Sequence, residues 1–126
     1  MATILIVDDS KFMRKVLADI LTAAGHEVVA EAENAAELKE LYRRLRPDVV
    51  TLDIVMPEVD GEDSVSALTS ITAEFPDARV VMISALGQSS VIKRCIEAGA
   101  KDFIDKPFKS SDVVRVIAQA LKGRPS

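Results

Sequence analysis

Short runs rich in valine and isoleucine alternate five times with longer stretches of helical spacing, and this alternation constrains the fold of the 126 residues more than any other feature. A strand followed by a helix and then a parallel strand is the unit of α/β architecture, so the repeated order predicts five βα pairs around a parallel sheet. The strand candidates are residues 4–7, 27–32, 49–52, 80–83 and the short 102–104. The first, third and fourth read as continuous apolar runs, as strands covered by helices on both faces must, and belong at the centre. The second and fifth are mixed and become the edges.

The intervening segments carry the spacing of helices that lie on a sheet. The first repeats Met13, Val16, Leu17, Ile20, Leu21 and Ala24 and stops at Gly25. The second opens with Asn34, has Glu37 three residues later as a capping-box pair, repeats Leu38, Leu41, Tyr42 and Leu45, and ends before Pro47. The third, with Val65, Leu68 and Ile71, is more polar. The fourth carries Val91, Ile92, Cys95 and Ile96 and ends at Gly99, and the fifth carries Val113, Val116, Ile117, Ala120 and Leu121 and closes near Gly123, leaving Arg124 to Ser126 beyond it. No internal repeat, linker or low-complexity tract interrupts the series, so residues 1–126 are expected to form one domain.

Composition removes several classes of function. The 16 basic and 20 acidic residues give a net charge of −4, and no Lys/Arg cluster tracks a phosphate backbone, so no nucleic-acid partner is expected. Cys95 and His26 are each the sole residue of their type, which removes an intrachain disulfide, a Cys/His zinc site and most histidine-based catalysis. No apolar run approaches the ~18 residues of a membrane span, and the chain enters its first strand without a basic targeting segment. A soluble, cytoplasmic protein with no membrane partner is the expectation. The single cysteine and histidine are themselves assigned to structure, the first on the inner face of the fourth helix and the second in the loop after Gly25.

In an open parallel sheet, functional groups gather at the carboxyl ends of the strands, beside the point where strand order reverses. Asp8 and Asp9 follow the first strand, Asp53 the third, Ser84 the fourth and Lys106 the fifth. Each has a plain structural role open to it: Asp9 or Ser10 can cap the first helix, Ser84 a turn, and Asp53 can be a solvated loop carboxylate. Their combination weighs against those roles. If Asp8, Asp9 and Asp53 converge ionised, each close pair repels by up to about 4 kcal/mol at an effective dielectric near 20, against roughly 1 kcal/mol from a helix cap. Three carboxylates in a small space call for a hard cation, and an oxygen site with few protein ligands suits Mg²⁺. Lys106 adds a cation and Ser84 a hydroxyl donor, which completes the parts of a phosphoryl-transfer site with an aspartate as nucleophile.

Taken in order, Asp8-Asp9, the phrase Thr51-Leu52-Asp53-Ile54-Val55-Met56-Pro57, Asp60-Gly61, Ser84-Ala85 and Lys106-Pro107-Phe108 resemble the receiver domain of two-component response regulators over the whole chain, intervals included. The resemblance implies a flavodoxin-like (βα)5 fold, a doubly wound five-stranded parallel sheet of order 2-1-3-4-5. It implies that Asp53 receives a phosphoryl group, that Asp8, Asp9, Asp53 and the backbone carbonyl of Val55 hold Mg²⁺, and that Ser84 and Lys106 bind phosphoryl oxygens. It also implies a cis peptide between Lys106 and Pro107. A Phe in a short strand is ordinarily core, but the resemblance makes Phe103 a switch aromatic that turns inward as Ser84 moves toward the phosphoryl group. The surface of the fourth helix, fifth strand and fifth helix then becomes the output face, and kinase and target are expected to recognise this face or the first helix.

Two departures from the family pattern carry consequences. Val55 and Leu86 are apolar where many receivers place a group that orients the hydrolytic water, which implies slow self-dephosphorylation. Glu62 and Asp63 bring unusual acidity to the start of the third helix, where first-turn carboxylates are electrostatically sensible.

Among stand-alone receivers the phrase from Asp53 to Glu58, followed by Asp60-Gly61, is most similar to the chemotaxis regulators of the CheY type. No nucleotide-cradling GxxxxGK occurs, so the implied donor is a sensor histidine kinase rather than ATP. The implied partners are that kinase, a downstream protein target such as a flagellar motor switch component, and a phosphatase, with the chain a monomer that has no attached output domain. A phosphorelay intermediate would share every site residue, and a non-phosphorylated interaction module remains a further class. A flavin binder is disfavoured by carboxylates where a phosphate loop belongs, and an aspartyl phosphatase by Val at position 55.

Overall fold

The computed structural model describes residues 2–56, 61, 63–85 and 89–122. Five strands, β1 (Thr3–Val7), β2 (Glu27–Ala32), β3 (Val49–Asp53), β4 (Val80–Ser84) and β5 (Asp102–Asp105), alternate with five α-helices. These are α1 (Lys11–Ala23), α2 (Leu38–Leu45), α3 (Ser64–Glu74), α4 (Ser89–Glu97) and α5 (Ser110–Lys122). All strand pairs are parallel and the order is β2-β1-β3-β4-β5, which is the doubly wound arrangement that the receiver resemblance implies and places β2 and β5 at the edges, as the apolar runs predict.

Alternating side chains send the central strands into two apolar layers. Leu5, Val7, Val50, Leu52 and Met82 face Leu38 and Tyr42 of α2, Leu68 and Ile71 of α3 and Cys95 of α4. Ile4, Ile6, Val49, Val81 and Ile83 face Leu17 and Leu21 of α1 and Val113, Val116 and Ile117 of α5. β3 and β4 are buried throughout, whereas β2 and β5 are mixed, as their edge positions require. Cys95 is fully buried, and His26 Nδ1 accepts a hydrogen bond from the Ala2 N–H at 3.1 Å, so both serve structure as read from the sequence. Among the described residues no helix is long and apolar enough to cross a membrane.

Several boundaries differ from the sequence reading for local reasons. Ala24 lies outside the buried stripe: it is the exposed C-cap of α1, followed by Gly25 at φ 91°, a left-handed position that glycine adopts without penalty. Asn34 caps not α2 but a 3-10 turn, Ala35–Glu37, with its Oδ1 accepting from the Glu37 N–H at 3.1 Å. The Glu37 carboxylate reaches back one residue further than a capping box does, to the Glu33 N–H at 2.9 Å. Leu45 and Ile96 are 37% and 43% exposed, because each lies in the last turn of its helix, past the residues packed on the core. Asp63 explains part of the acidity before α3, since it forms a reciprocal capping box with Ser66. Glu62, Gly123 and Arg124 to Ser126 lie outside the described residues.

Candidate phosphoryl-acceptor site

β1 lies between β2 and β3, so the chain leaves β1 to one side and returns on the other. A crevice opens at the carboxyl ends of such strands, and β1 and β3 deliver Asp8, Asp9 and Asp53 to it. Which residue caps α1 is settled by geometry: Ser10 Oγ accepts from the Met13 N–H at 3.2 Å. Both aspartates are thereby free of that task. Asp8 Oδ1 accepts from the Ser10 N–H at 2.8 Å, and the Asp8 carbonyl accepts from Arg14 Nη1 at 2.7 Å. Arg14 in turn pairs with Glu31 of β2 at 3.0 Å, which ties the loop to the edge strand.

Asp53 is the last residue of β3 and almost fully buried. Its Oδ1 accepts from the Val55 N–H at 3.0 Å, its Oδ2 meets Lys106 Nζ at 2.9 Å, and its carbonyl accepts from Ser64 Oγ at 2.5 Å. Asp8, Asp9 and Asp53 each offer one oxygen within 4.8 Å of the others. Asp8 is buried and Asp9 exposed, and Asp8 Oδ2 has no hydrogen-bond partner. Burial pushes the Asp8 carboxyl up to about 6, with neighbouring Asp53 adding to the rise and the Ser10 N–H and Lys106 opposing it. An orphaned carboxylate oxygen inside an all-oxygen acidic cluster is the chemistry that a hard divalent cation satisfies, so the residues present fit such an ion.

The other expected site residues are distributed less simply. Lys106 joins the cluster, and the Lys106–Pro107 peptide is cis as expected. Ser84 is fully buried at the end of β4, but its hydroxyl is turned to Asp105 Oδ1, at 2.8 Å. Phe103 is half-buried against the layer of α2, α3 and α4, and borders a groove of about 360 Å³ with Asp105, Pro107 and Arg115. Val55 contributes its N–H to Asp53 while the residue is 56% exposed. Pro57, Glu58, Asp60 and Leu86 lie outside the described residues.

Three contributors were not singled out from the sequence: Arg14, Ser64 and Asp105. Asp105 had a readable signal, because Ser84 and Asp105 end neighbouring parallel strands and are direct register partners. Arg14 sits one helical turn beyond the Ser10 cap, which points its side chain back toward the loop. Ser64 opens α3 directly after its cap, a position from which a buried hydroxyl meets the end of β3.

Residues 4–118 match the response regulator receiver domain family. The chemotaxis protein CheY of Thermotoga maritima is 47% identical, with 94% of this chain and 97% of that protein aligned. The chemotaxis protein CheY of Bacillus subtilis is 50% identical over 94% of this chain and 96% of its own length. The crystal structure of the response regulator domain of Thermotoga maritima CheB superposes with a TM-score of 0.85 at 35% identity, covering 98% of both chains. The chain therefore belongs to the response regulator receiver domain family and is CheY-like over nearly its whole length.

Proposed function

We propose that Asp53 accepts a phosphoryl group from a phosphohistidine of a sensor kinase, and that the phosphorylated chain changes its affinity for a downstream protein in chemotaxis signalling. The observation that carries this reading is the ion pair of Lys106 Nζ with the buried Asp53 Oδ2 at 2.9 Å, inside the cluster with Asp8 and Asp9. In the step, an Asp53 carboxylate oxygen attacks phosphorus, the P–N bond to the donor imidazole breaks, and the imidazole nitrogen keeps the electron pair and takes up a proton. The product on this chain is an acyl phosphate.

The residues divide the work. The Val55 N–H and Lys106 orient the Asp53 carboxylate, while Ser64 fixes its backbone. Lys106 and Ser84 are assigned to phosphoryl oxygens, where donors in a partly dry site stabilise developing charge. Asp8, Asp9, Asp53 and the Val55 carbonyl are assigned to Mg²⁺, which when bound supplies positive charge against the phosphoryl oxygens. Phosphorylation adds about −1.5 to −2 charge, draws Ser84 inward and lets Phe103 follow, so that the surface of α4, β5 and α5 carries the output. Apolar Val55 leaves the hydrolytic water unoriented and favours slow self-dephosphorylation. A flagellar motor switch component fits as the target and a phosphatase as the terminator, with residues 1–126 acting as one cytoplasmic, monomeric receiver domain that needs neither nucleic acid nor membrane.

Intact-mass spectrometry after incubation with Mg²⁺ and acetyl phosphate tests this reading. One added phosphoryl group is expected on the natural protein and none on Asp53→Asn or without Mg²⁺. No gain, even with sensor histidine kinases supplied, would overturn it.

A further inference from the structure

The Ser84 hydroxyl has one proton, and its short contact is to Asp105 Oδ1 at 2.8 Å, with the Ile104 carbonyl a long second acceptor at 3.5 Å. Parallel register holds the two side by side, as the last residues of β4 and β5, and the Lys106 N–H donates to the Ser84 carbonyl at 2.7 Å, which pins the backbone between them. Ser84 is fully buried, whereas Asp105 is exposed, so only Asp105 can exchange its partner for water at little cost. A phosphoryl oxygen on Asp53 must compete with Asp105 for the same proton. We infer that Asp105 is a positioning residue that holds the Ser84 hydroxyl away from the phosphoacceptor at rest, so that breaking this bond is part of the cost of engaging a phosphoryl group.

The inference rests on Asp53 being the acceptor and adds a determinant of how readily the site responds. No covalent bond changes in the step: Ser84 Oγ–H leaves Asp105 and turns to a phosphoryl oxygen, and Asp105 is taken up by solvent. A carboxylate accepts more strongly than a neutral amide oxygen, so Asn at this position should weaken the latch and Ala should remove it. A rival explanation is that Asp105 merely repels an anionic ligand. Repulsion would act whether or not residue 84 has a hydroxyl, and the latch would not.

The test is a double-mutant cycle on affinity for beryllofluoride in the presence of Mg²⁺, read by 19F NMR on the full chain. Asp105→Ala should tighten binding about fivefold to tenfold and Asp105→Asn about twofold to threefold, the scale of one net hydrogen bond, here at a carboxylate that water can take up. In a Ser84→Ala background, Asp105→Ala should change affinity by less than about 1.5-fold, because the proton in contention is gone. Unchanged affinity on substitution of Asp105, or equal tightening with and without the Ser84 hydroxyl, would overturn the inference and leave the acceptor reading intact. If the natural protein binds no beryllofluoride, the acceptor reading fails and the latch fails with it.

Discussion

The two ends of the same sheet treat carboxylates in opposite ways. At the amino end, Asp48 is surrounded by donors: its Oδ2 accepts from the Thr3 N–H at 2.9 Å and the Thr3 hydroxyl at 3.2 Å, and its carbonyl accepts from Arg79 at 3.2 Å. At the carboxyl end, three carboxylates share a space of 4.8 Å with one lysine, and a buried oxygen of Asp8 has no partner. Asp48 is exposed whereas Asp8 and Asp53 are buried, so the carboxylates that lack enough donors are also the ones removed from water. One rim closes the fold with satisfied carboxylates, and the other carries an uncompensated electrostatic cost of the kind a hard cation would relieve.

The largest expected effect comes from neutralising that cost. The Asp8 carboxyl stands at about 6 in the folded protein against an ordinary 3.8, so folding favours its protonated form. Its contribution to stability is therefore full below about pH 4, falls as pH rises through 6, and stays lost above. Without divalent cations, Asp8→Asn should remove this loss and raise unfolding free energy at pH 7 by up to about 3 kcal/mol. Urea unfolding of both proteins at pH 4, 5, 6 and 7 checks it: the gap should open with pH, and a variant that is less stable at pH 7 would contradict the contrast between the rims.

A smaller effect of opposite sign is expected at the closed rim. Asp48→Ala removes both contacts from Thr3 to the carboxylate and should cost about 1 to 2 kcal/mol. The same urea titrations measure it. A stabilising result there would mean that the amino-end carboxylate is strained as well, and the two ends would no longer differ.

The difference between the ends was only partly legible in the sequence. Which strands are central and which are edges followed from which runs are apolar throughout, whereas the full strand order came only with the receiver resemblance. Asp8, Asp9, Asp53 and Lys106 could be brought together because each follows a strand whose carboxyl end shares one rim. Periodicity names the inner face of a helix but not where along its length burial stops, so Ala24 and Ile96 fit the apolar stripe in sequence yet are exposed at the helix ends. Capping residues mark where a helix begins without saying whether its first turn is 3-10, as Asn34 illustrates. Arg14 on the Asp8 carbonyl and Ser64 on the Asp53 carbonyl depend on rotamers that residue spacing does not encode, whereas Asp105 on the Ser84 hydroxyl follows from the register of neighbouring strand ends.

The central claim is that the carboxyl-end cluster is built around a divalent cation that supports chemistry at Asp53. Its most direct test is unfolding free energy at pH 7 as a function of Mg²⁺ concentration, for the natural protein and for Asp8→Asn. The natural protein should gain about 1.4 kcal/mol for each tenfold increase in Mg²⁺ above its dissociation constant, while Asp8→Asn, more stable at the outset, should gain far less. Stability indifferent to Mg²⁺ in the natural protein, or an equal gain in both proteins, would contradict the account.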